Sequence, residues 1–160
     1  MAKEVKNKKT LVEQILTKAG IDHIGIQINA LEGELPPEYG RNQIFKTLAL
    51  LGDKTGPIIG IVPITEHLAE KKLAKVSGNK KVSMIPQKDL EKTTGYIHGA
   101  NNPVGIRQKH NYPIFIDQTA WDLDQMIVSA GEVGHSIIIR PRDLASFVKA
   151  NFADILEESK

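Results

Sequence analysis

The sequence lacks cysteine altogether, and this one absence excludes several kinds of chemistry. Without cysteine the chain has no disulfide scaffold, no thiolate zinc site and no cysteine nucleophile. Aromatic residues make up only 5%, and the longest apolar run, Ile58 to Ile64, is too short to span a bilayer. The polar start Ala2 to Lys9 does not resemble a secretory leader. We therefore expect a cytoplasmic protein that does not contact a membrane.

Charge and composition are those of an ordinary globular chain. The 160 residues carry 21 Lys and Arg against 19 Asp and Glu, which gives a net charge of +2, and 41% of them are hydrophobic. A domain typically spans about 100–200 residues. We therefore expect a single domain over residues 1–160, in which residues 1–9 form a polar, flexible tail.

Hydrophobic periodicity predicts both helices and strands. Thr10 and Glu13 have the spacing of a helix capping box, which predicts a helix over residues 10–19. Two apolar runs separated by the turn-rich segment 52–57 predict a hairpin. Short strands are expected at 24–28, 82–85, 114–116, 126–128 and 137–139.

Further helices are predicted after the hairpin. One is expected over 66–76 with Leu68, Leu73 and Val76 facing inward, one begins at Pro86, and a last one runs from Pro141 towards Ile155 and Leu156. Helices and strands do not alternate regularly, which favours an α+β fold. We expect a single compact domain with a mixed, strongly curved, barrel-like sheet flanked by helices.

Several familiar motifs are incomplete. The turn 52–56 contains Lys-Thr but lacks the glycine that precedes the lysine of a phosphate-binding loop. Ser129-Ala130-Gly131 is half of a nucleophile elbow, but Ile127 stands where the first glycine belongs. The five histidines lack metal-binding spacing, so we interpret them as surface or supporting side chains. A dinucleotide-binding glycine motif is also missing, and we expect neither a metal nor a cofactor.

Three features remain, and each has two interpretations. The lysine-rich stretch 71–81 contains no acidic residue and is either a phosphate-binding patch or a solvated helix face. The segment 93–105, rich in Gly, Asn and Pro, either presents backbone N–H groups to an oxygen or is a tight surface connection. Lys46, within the apolar segment 44–51, either faces a pocket as a cation or extends to water.

These features occur in one ordered set of motifs. The set comprises Ile44-Phe45-Lys46-Thr47-Leu48, Thr94-Gly95-Tyr96, Gly99 to Gly105 with Pro103, Ile116-Asp117, and Val128-Ser129 with Gly131 and Gly134. In this order and spacing it resembles the YbaK/EbsC family, the free-standing cysteinyl-tRNA(Pro) deacylases related to the editing domain of bacterial prolyl-tRNA synthetase. The segment from Asp143 to Ile155 is similar to the C-terminal helix of that family. The resemblance extends from about residue 10 to residue 156.

The resemblance implies hydrolysis of the ester that joins a wrong amino acid to the 3′ end of a tRNA. A synthetase for proline cannot exclude cysteine by size, so a second, hydrolytic check is needed. The resemblance also implies that no protein nucleophile is used. The thiol of the substrate or the hydroxyl of its terminal ribose attacks or activates, while the protein positions the ester.

The resemblance also implies site residues. Lys46 matches the functional lysine and is expected to hold the phosphate or ribose of the terminal adenosine. The expected substrate-binding residues are Thr47, Gly99, Ala100, Asn101, Asn102, Pro103, Ser129 and Gly131, and those expected to bind tRNA are Lys71, Lys72, Lys75, Lys80 and Lys81. The sequence departs from the family at Ala100, Asn102 and Ser136, where glycine, serine or threonine, and aspartate are common.

Three functional hypotheses follow. The first is a trans-acting deacylase of Cys-tRNA(Pro) that uses substrate-assisted chemistry, with prolyl-tRNA synthetase as a partner. The second keeps the fold and changes the substrate to Ala-tRNA(Pro) or another small amino acid. The third is a non-catalytic module that binds tRNA or a synthetase. None of the three involves DNA or a membrane.

Overall fold

The computed structural model describes residues 9–27 and 39–158. The expected tail up to residue 8, Ile28 and most of the segment 33–40 lie outside these residues. The α-helices are α1 (Leu11–Ala19), α2 (Glu70–Ser77), α3 (Gln87–Thr94), α4 (Pro103–Lys109) and α5 (Pro141–Val148). The strands are β1 (His23–Ile26), β2 (Phe45–Gly52), β3 (Gly56–Pro63), β4 (Val82–Met84), β5 (Ile114–Asp117), β6 (Met126–Glu132), β7 (His135–Ile139) and β8 (Asn151–Ala153). Short 3-10 helices occupy Arg41–Gln43 and Gln118–Asp122.

The first helix forms as its sequence predicts. The Oγ1 of Thr10 accepts a hydrogen bond from the backbone N–H of Glu13 at 3.2 Å, and the Oε1 of Glu13 accepts from the N–H of Thr10 at 2.8 Å. This reciprocal capping box satisfies N–H groups that otherwise lack partners at the start of a helix. The helix ends at Gly20, whose φ of 76° is left-handed. Val12 and Leu16 are buried in the main core.

The strands form two sheets. The five-stranded sheet has the order β4-β2-β3-β5-β8, and the three-stranded sheet has the order β1-β7-β6. The predicted hairpin of β2 and β3 is confirmed, with Lys46 opposite Val62, and β5 runs parallel to both β3 and β8. The α+β class is therefore confirmed.

The predicted barrel-like sheet is not supported. Neither sheet closes on itself, and the described bridge between them is isolated, from Ile44, the residue before β2, to Ile127 of β6. One bridge cannot continue a hydrogen-bonded ladder, so the strands belong to separate sheets. Residues of both β2 and β6 line a cavity.

Alternation along β2 assigns its side chains to different clusters. Phe45 and Ala49 belong to the main core, whereas Leu48 and Leu50 pack with the second cluster, which contains Leu73 of α2 and Ile155. Ile44 forms a third cluster with Ile127 and Ile138. The same strand therefore faces a different part of the interior on each side.

Several segments differ from the sequence-based expectation, among them α4, which was not predicted. Helix α2 begins at Glu70 rather than 66, and Val76, expected to face inward, is 42% exposed. Helix α5 ends at Val148, because Lys149 adopts a left-handed φ of 58°. The residues after it form β8 beside β5, where a continuing helix was predicted. Among the described helices, none combines the length and the apolar character needed to cross a bilayer.

Candidate functional site

A cavity of about 430 Å³ has residues of β2 and β6 in its wall. Its wall includes residues from the segments 44–49, 84–90, 98–101, 127–129 and 134–136, so both sheets, α3 and the segment before α4 contribute. A volume of several hundred cubic ångströms is typical of a pocket for a small ligand. The cavity therefore has room for the end of a larger molecule.

The cavity collects part of the predicted site. Its wall includes Lys46, Thr47, Gly99, Asn101 and Ser129. Four other predicted substrate-binding residues are not part of the wall: Ala100, Asn102, Pro103 and Gly131. The first three of these are buried. The predicted tRNA-binding lysines lie outside it.

Lys46 is the second residue of β2 and is half-buried. By strand alternation its side chain shares a face with Ile44, which packs on Ile127 and Ile138 of the opposite sheet. No carboxylate of the described residues forms an ion pair with it. A positive charge is therefore placed at the cavity without a described counterion.

The segment from Gly99 to Pro103 is held by Asn102. Its Oδ1 accepts from the N–H of Gly105 at 2.6 Å, which caps α4, and its Nδ2 donates to the carbonyl of Ala100 at 3.1 Å. The N–H of Ala100 donates to the carbonyl of Ile97. That N–H is therefore not free to bind a substrate oxygen, although the sequence suggested that this segment presents such groups.

Two buried polar atoms of the wall have no hydrogen-bond partner among the described residues. They are the Oγ1 of Thr47 and the Oδ1 of Asn101. Buried polar atoms in proteins are nearly always paired, because leaving one unpaired costs free energy. Neither atom has appreciable solvent-accessible surface, so both are closed off from the cavity.

Polar side chains of β6 and β7 form another part of the wall. Ser129 faces Ser136 across the two strands, and the Oγ of Ser129 accepts from the N–H of Gly131 at 3.1 Å. Ser136, which replaces the aspartate common in the family, is 6% exposed. Both hydroxyls can contact a ligand in the cavity.

Sequence reasoning missed His98 and His135, which it interpreted as surface or supporting side chains. Both belong to the cavity wall. Each lies next to a glycine with positive φ: Gly99 at 91° and Gly134 at 88°. A histidine beside such a glycine is a weak signal, because glycine turns are common on any protein surface.

Gly131 has a different role from the predicted one. Its φ is 94°, and it lies at the irregular pairing between Ser129 and Glu132. A Cβ atom there would lie 3.1 Å from Val12, 3.4 Å from Asn102 and 3.5 Å from Tyr96. The space beside Gly131 is therefore already filled by protein.

The lysines of the stretch 71–81 differ in their contacts. Lys72 Nζ lies 3.1 Å from Asp154 and 2.8 Å from Glu158, and hydrogen bonds to Glu158 and then Asp154 raise the pKa of Lys72. Exposed lysines of the stretch are Lys71, Lys75, Lys80 and Lys81. From Lys81, the three residues of β4 lead to Met84 in the cavity wall, which is about 10 Å along a strand.

In the described part of the chain, no three His, Asp or Glu residues form a group that could hold a metal ion.

Most of the chain matches one known protein family. The model of the aminoacyl-tRNA editing domain matches residues 37–147. A protein of Enterococcus faecalis named "Putative Cys-tRNA(Pro)/Cys-tRNA(Cys) deacylase EbsC" is 42% identical over 134 residues, which cover 84% of this chain and 78% of that protein.

Solved structures share the fold. The "Crystal structure of a putative trans-editing enzyme for prolyl tRNA synthetase" aligns with a TM-score of 0.78 at 20% identity over 92% of this chain and 95% of that one. The "Crystal structure of hypothetical protein APE2540" aligns with a TM-score of 0.81 at 20% identity over 91% and 99%. At these identities the alignments establish the fold alone.

Proposed function

Because the chain belongs to the aminoacyl-tRNA editing domain family, we propose that it hydrolyses the ester of mischarged tRNA, with Cys-tRNA(Pro) as its substrate. A domain of this family is a deacylase, and its substrate is an aminoacyl-tRNA. The identity of the amino acid and of the tRNA is the part proposed here. Its support is the 42% identical relative, whose name gives Cys-tRNA(Pro) and Cys-tRNA(Cys).

The placement of Lys46 carries the proposal. Its charge lies at the cavity, whose described wall otherwise consists of apolar side chains, hydroxyls, amides and the imidazoles of His98 and His135. The 3′ end of a charged tRNA combines an anionic phosphate, a ribose and a small aminoacyl group. A lysine binds the phosphate or ribose region as a point charge, and the cavity then receives the aminoacyl group.

The resemblance to the family implies no protein nucleophile, so in this proposal the attacking group belongs to the substrate, and the wall binds and orients the ester. In the thiol version the cysteine sulfur attacks the ester carbonyl and the bond to the ribose oxygen breaks. That oxygen takes up the proton lost by the thiol, and water then opens the thiolactone to give cysteine. In the hydroxyl version the vicinal ribose hydroxyl activates a water molecule that attacks the same carbonyl. Holding the reacting atoms in position supplies much of the acceleration in either version.

The lysine-rich stretch supplies the proposed tRNA contact. Lys80 and Lys81 precede β4, which leads to the cavity, and they can meet phosphates of the acceptor end. Contacts to phosphates give affinity but little sequence information. Selection of tRNA(Pro) therefore falls to prolyl-tRNA synthetase, which we propose as the partner.

A substrate panel tests the proposal. Purified tRNA(Pro) charged with cysteine, alanine or serine is incubated with the protein, and loss of the ester is compared with a control that lacks protein. We expect fast loss of the cysteinyl ester alone, because only cysteine carries a thiol. Equal loss of all three esters would contradict the thiol version. Faster loss of the alanyl ester would show that Ala-tRNA(Pro), rather than Cys-tRNA(Pro), is the preferred substrate. Loss no faster than in the control would overturn the proposal.

A further inference from the structure

One edge of β2 lacks a partner strand over part of its length. On its inner side β2 pairs with β3 from end to end. On its outer side it pairs with β4 only from Leu50 to Gly52, and the residue before it, Ile44, makes the isolated bridge to β6. Residues of β4 and β6 on either side of this gap line the cavity, and so do residues 45–48. Among the described residues, the outer edge of β2 is therefore open towards the cavity.

Alternation of hydrogen bonds decides which backbone groups point to that edge. In an antiparallel pair, every second residue directs both its N–H and its C=O at the partner strand. The N–H of Ile64 donates to the carbonyl of Ile44 at 2.9 Å, so the even-numbered residues of β2 point to β3. The odd-numbered residues point away from β3, as the carbonyl of Ala49 does, which accepts from the N–H of Ile85 at 3.2 Å.

Thr47 is the odd-numbered residue at the centre of the open edge. Its N–H and its C=O have no hydrogen-bond partner among the described residues. Its hydroxyl oxygen is closed off, yet Thr47 as a whole is partly exposed, so other atoms of this residue are open. The residue belongs to the cavity wall. One donor and one acceptor of the main chain are therefore available to a molecule in the cavity.

An aminoacyl ester carries the matching pair of groups. Its α-amino group and its carbonyl group are attached to one Cα atom, as the N–H and the C=O of a strand residue are. Two residues in a hydrogen-bonded antiparallel pair exchange two bonds, from N–H to C=O in each direction. Peptides that add to an open strand edge are bound in this way. None of the described wall residues is Asp or Glu, so an amino group in the cavity meets neutral acceptors.

We propose that the main chain of Thr47 binds the aminoacyl group as a neighbouring strand residue would: its N–H donates to the ester carbonyl oxygen, and its C=O accepts from the α-amino group. This assignment rests on the proposed deacylase function. The N–H also stabilises the negative charge that develops on the carbonyl oxygen during attack. The C=O makes the site selective for esters with a free α-amino group, whereas Lys46 acts on the nucleotide.

Two substitutions at this position separate the backbone from the side chain. Thr47→Val and Thr47→Pro both remove the hydroxyl, and only proline removes the N–H as well. Because this N–H makes no bond to β3, proline there breaks no hydrogen bond of the sheet. We expect kcat/KM for Cys-tRNA(Pro) to be about 100- to 1000-fold lower in Thr47→Pro than in Thr47→Val, the loss typical of one missing oxyanion donor.

The outcomes separate this assignment from the proposed function. Equal kcat/KM values for the two variants, with an active wild type, would overturn the role of the Thr47 N–H and leave the deacylase function in place. Hydrolysis by the wild type no faster than in a control without protein would overturn the function and this role together. A urea midpoint of Thr47→Pro close to that of Thr47→Val assigns the lost activity to the missing N–H rather than to unfolding.

Amide hydrogen exchange covers the case in which Thr47→Pro does not fold, because it uses the wild type. In the free protein we expect the N–H of Thr47 to exchange faster than those of Lys46 and Leu48, which point to β3. Exchange at Thr47 as slow as at these two neighbours would overturn the assignment, because the N–H would then already have a partner.

Two stable probes then test the contacts with a ligand. They are the cysteinyl amide of 3′-amino-3′-deoxyadenosine and the 3-mercaptopropionyl amide, which lacks the α-amino group. We expect the cysteinyl amide to slow exchange at Thr47, and to bind about 10-fold more tightly than the other probe or better. Unchanged exchange at Thr47 in the bound protein would overturn its role as donor, and equal affinities would overturn its role as acceptor. Failure of both probes to bind to an active deacylase would overturn both roles.

Discussion

The amide of Asn102 bridges two backbone groups, since its Oδ1 accepts from the N–H of Gly105 at 2.6 Å while its Nδ2 donates to the carbonyl of Ala100 at 3.1 Å. The side chain is fully buried. It therefore fixes the start of α4 and the segment before it at once. Because Gly99 and Asn101 of that segment belong to the cavity wall, the shape of the wall depends on this one residue.

Replacing Asn102 should destabilise the protein. Asn102→Ala removes a helix cap and a buried acceptor, and we expect the free energy of unfolding to fall by about 1–3 kcal/mol. Urea denaturation measures this change. The control is Asn42→Ala at an exposed position, which should stay within about 0.5 kcal/mol of the wild type. Equal stability of the two variants would show that Asn102 does not hold the segment.

Replacing Gly131 by alanine should destabilise the protein by crowding, and the same substitution at Gly134 separates crowding from backbone strain. Gly131→Ala places a Cβ 3.1 Å from Val12 at a φ of 94°, whereas Gly134→Ala meets nothing within 4 Å at a φ of 88°. Both variants carry backbone strain of about 1–3 kcal/mol, and only the first adds crowding. We expect Gly131→Ala to unfold at the lower urea concentration. Identical urea midpoints for the two variants would mean that Val12 moves aside at no cost in the free energy of unfolding.

The contacts of Lys72 predict that the lysines of the stretch 71–81 contribute unequally to tRNA binding. Lys72 is bonded to Asp154 and Glu158, whereas Lys81 is exposed at the start of the strand that leads to the cavity. A lysine that neutralises a tRNA phosphate adds about 0.7–0.9 to the slope of log affinity against log salt. We expect Lys81→Ala to lower this slope and Lys72→Ala to leave it unchanged, when tRNA binding is titrated at several salt concentrations. A lower slope for Lys72→Ala together with an unchanged slope for Lys81→Ala would place the tRNA on the other side of α2.

Local patterns in the sequence predicted the elements that depend on local interactions. The spacing of Thr10 and Glu13 predicted α1, and the turn-rich segment 52–57 predicted the hairpin, because capping and turn formation involve residues close in sequence. The segment 151–153 was predicted as part of a helix, and it forms β8 instead. Its partner is β5, more than 30 residues away, and no local pattern reveals that pairing.

The same limit applies to the site. The resemblance to a family indicated Lys46, Asn101 and Ser129, which the structure brings to one cavity. It also indicated Asn102 and Gly131, whose roles in the structure are to hold and pack the segments behind the wall. A motif marks a segment of chain, and only the three-dimensional contacts distinguish the residues that face a ligand from those that support them.

Lys46 should be required for deacylation and dispensable for folding. Its backbone pairs with Val62 in the hairpin whatever the side chain is, and its side chain is half-buried. We expect Lys46→Ala to lower kcat/KM for Cys-tRNA(Pro) by about 100-fold or more, the loss typical when one preorganised electrostatic contact is removed, while the unfolding midpoint stays close to that of the wild type.

The control for Lys46 is Lys18→Ala, which removes the same charge from the exposed end of α1. If the activity depends only on the net charge of the protein, the two variants should lose the same small fraction of kcat/KM. If Lys46 binds the terminal nucleotide, only Lys46→Ala loses activity, and Lys46→Arg recovers part of it because the charge returns with a different shape. Full activity of Lys46→Ala would remove this lysine from the mechanism and leave the polar groups of the cavity to position the ester.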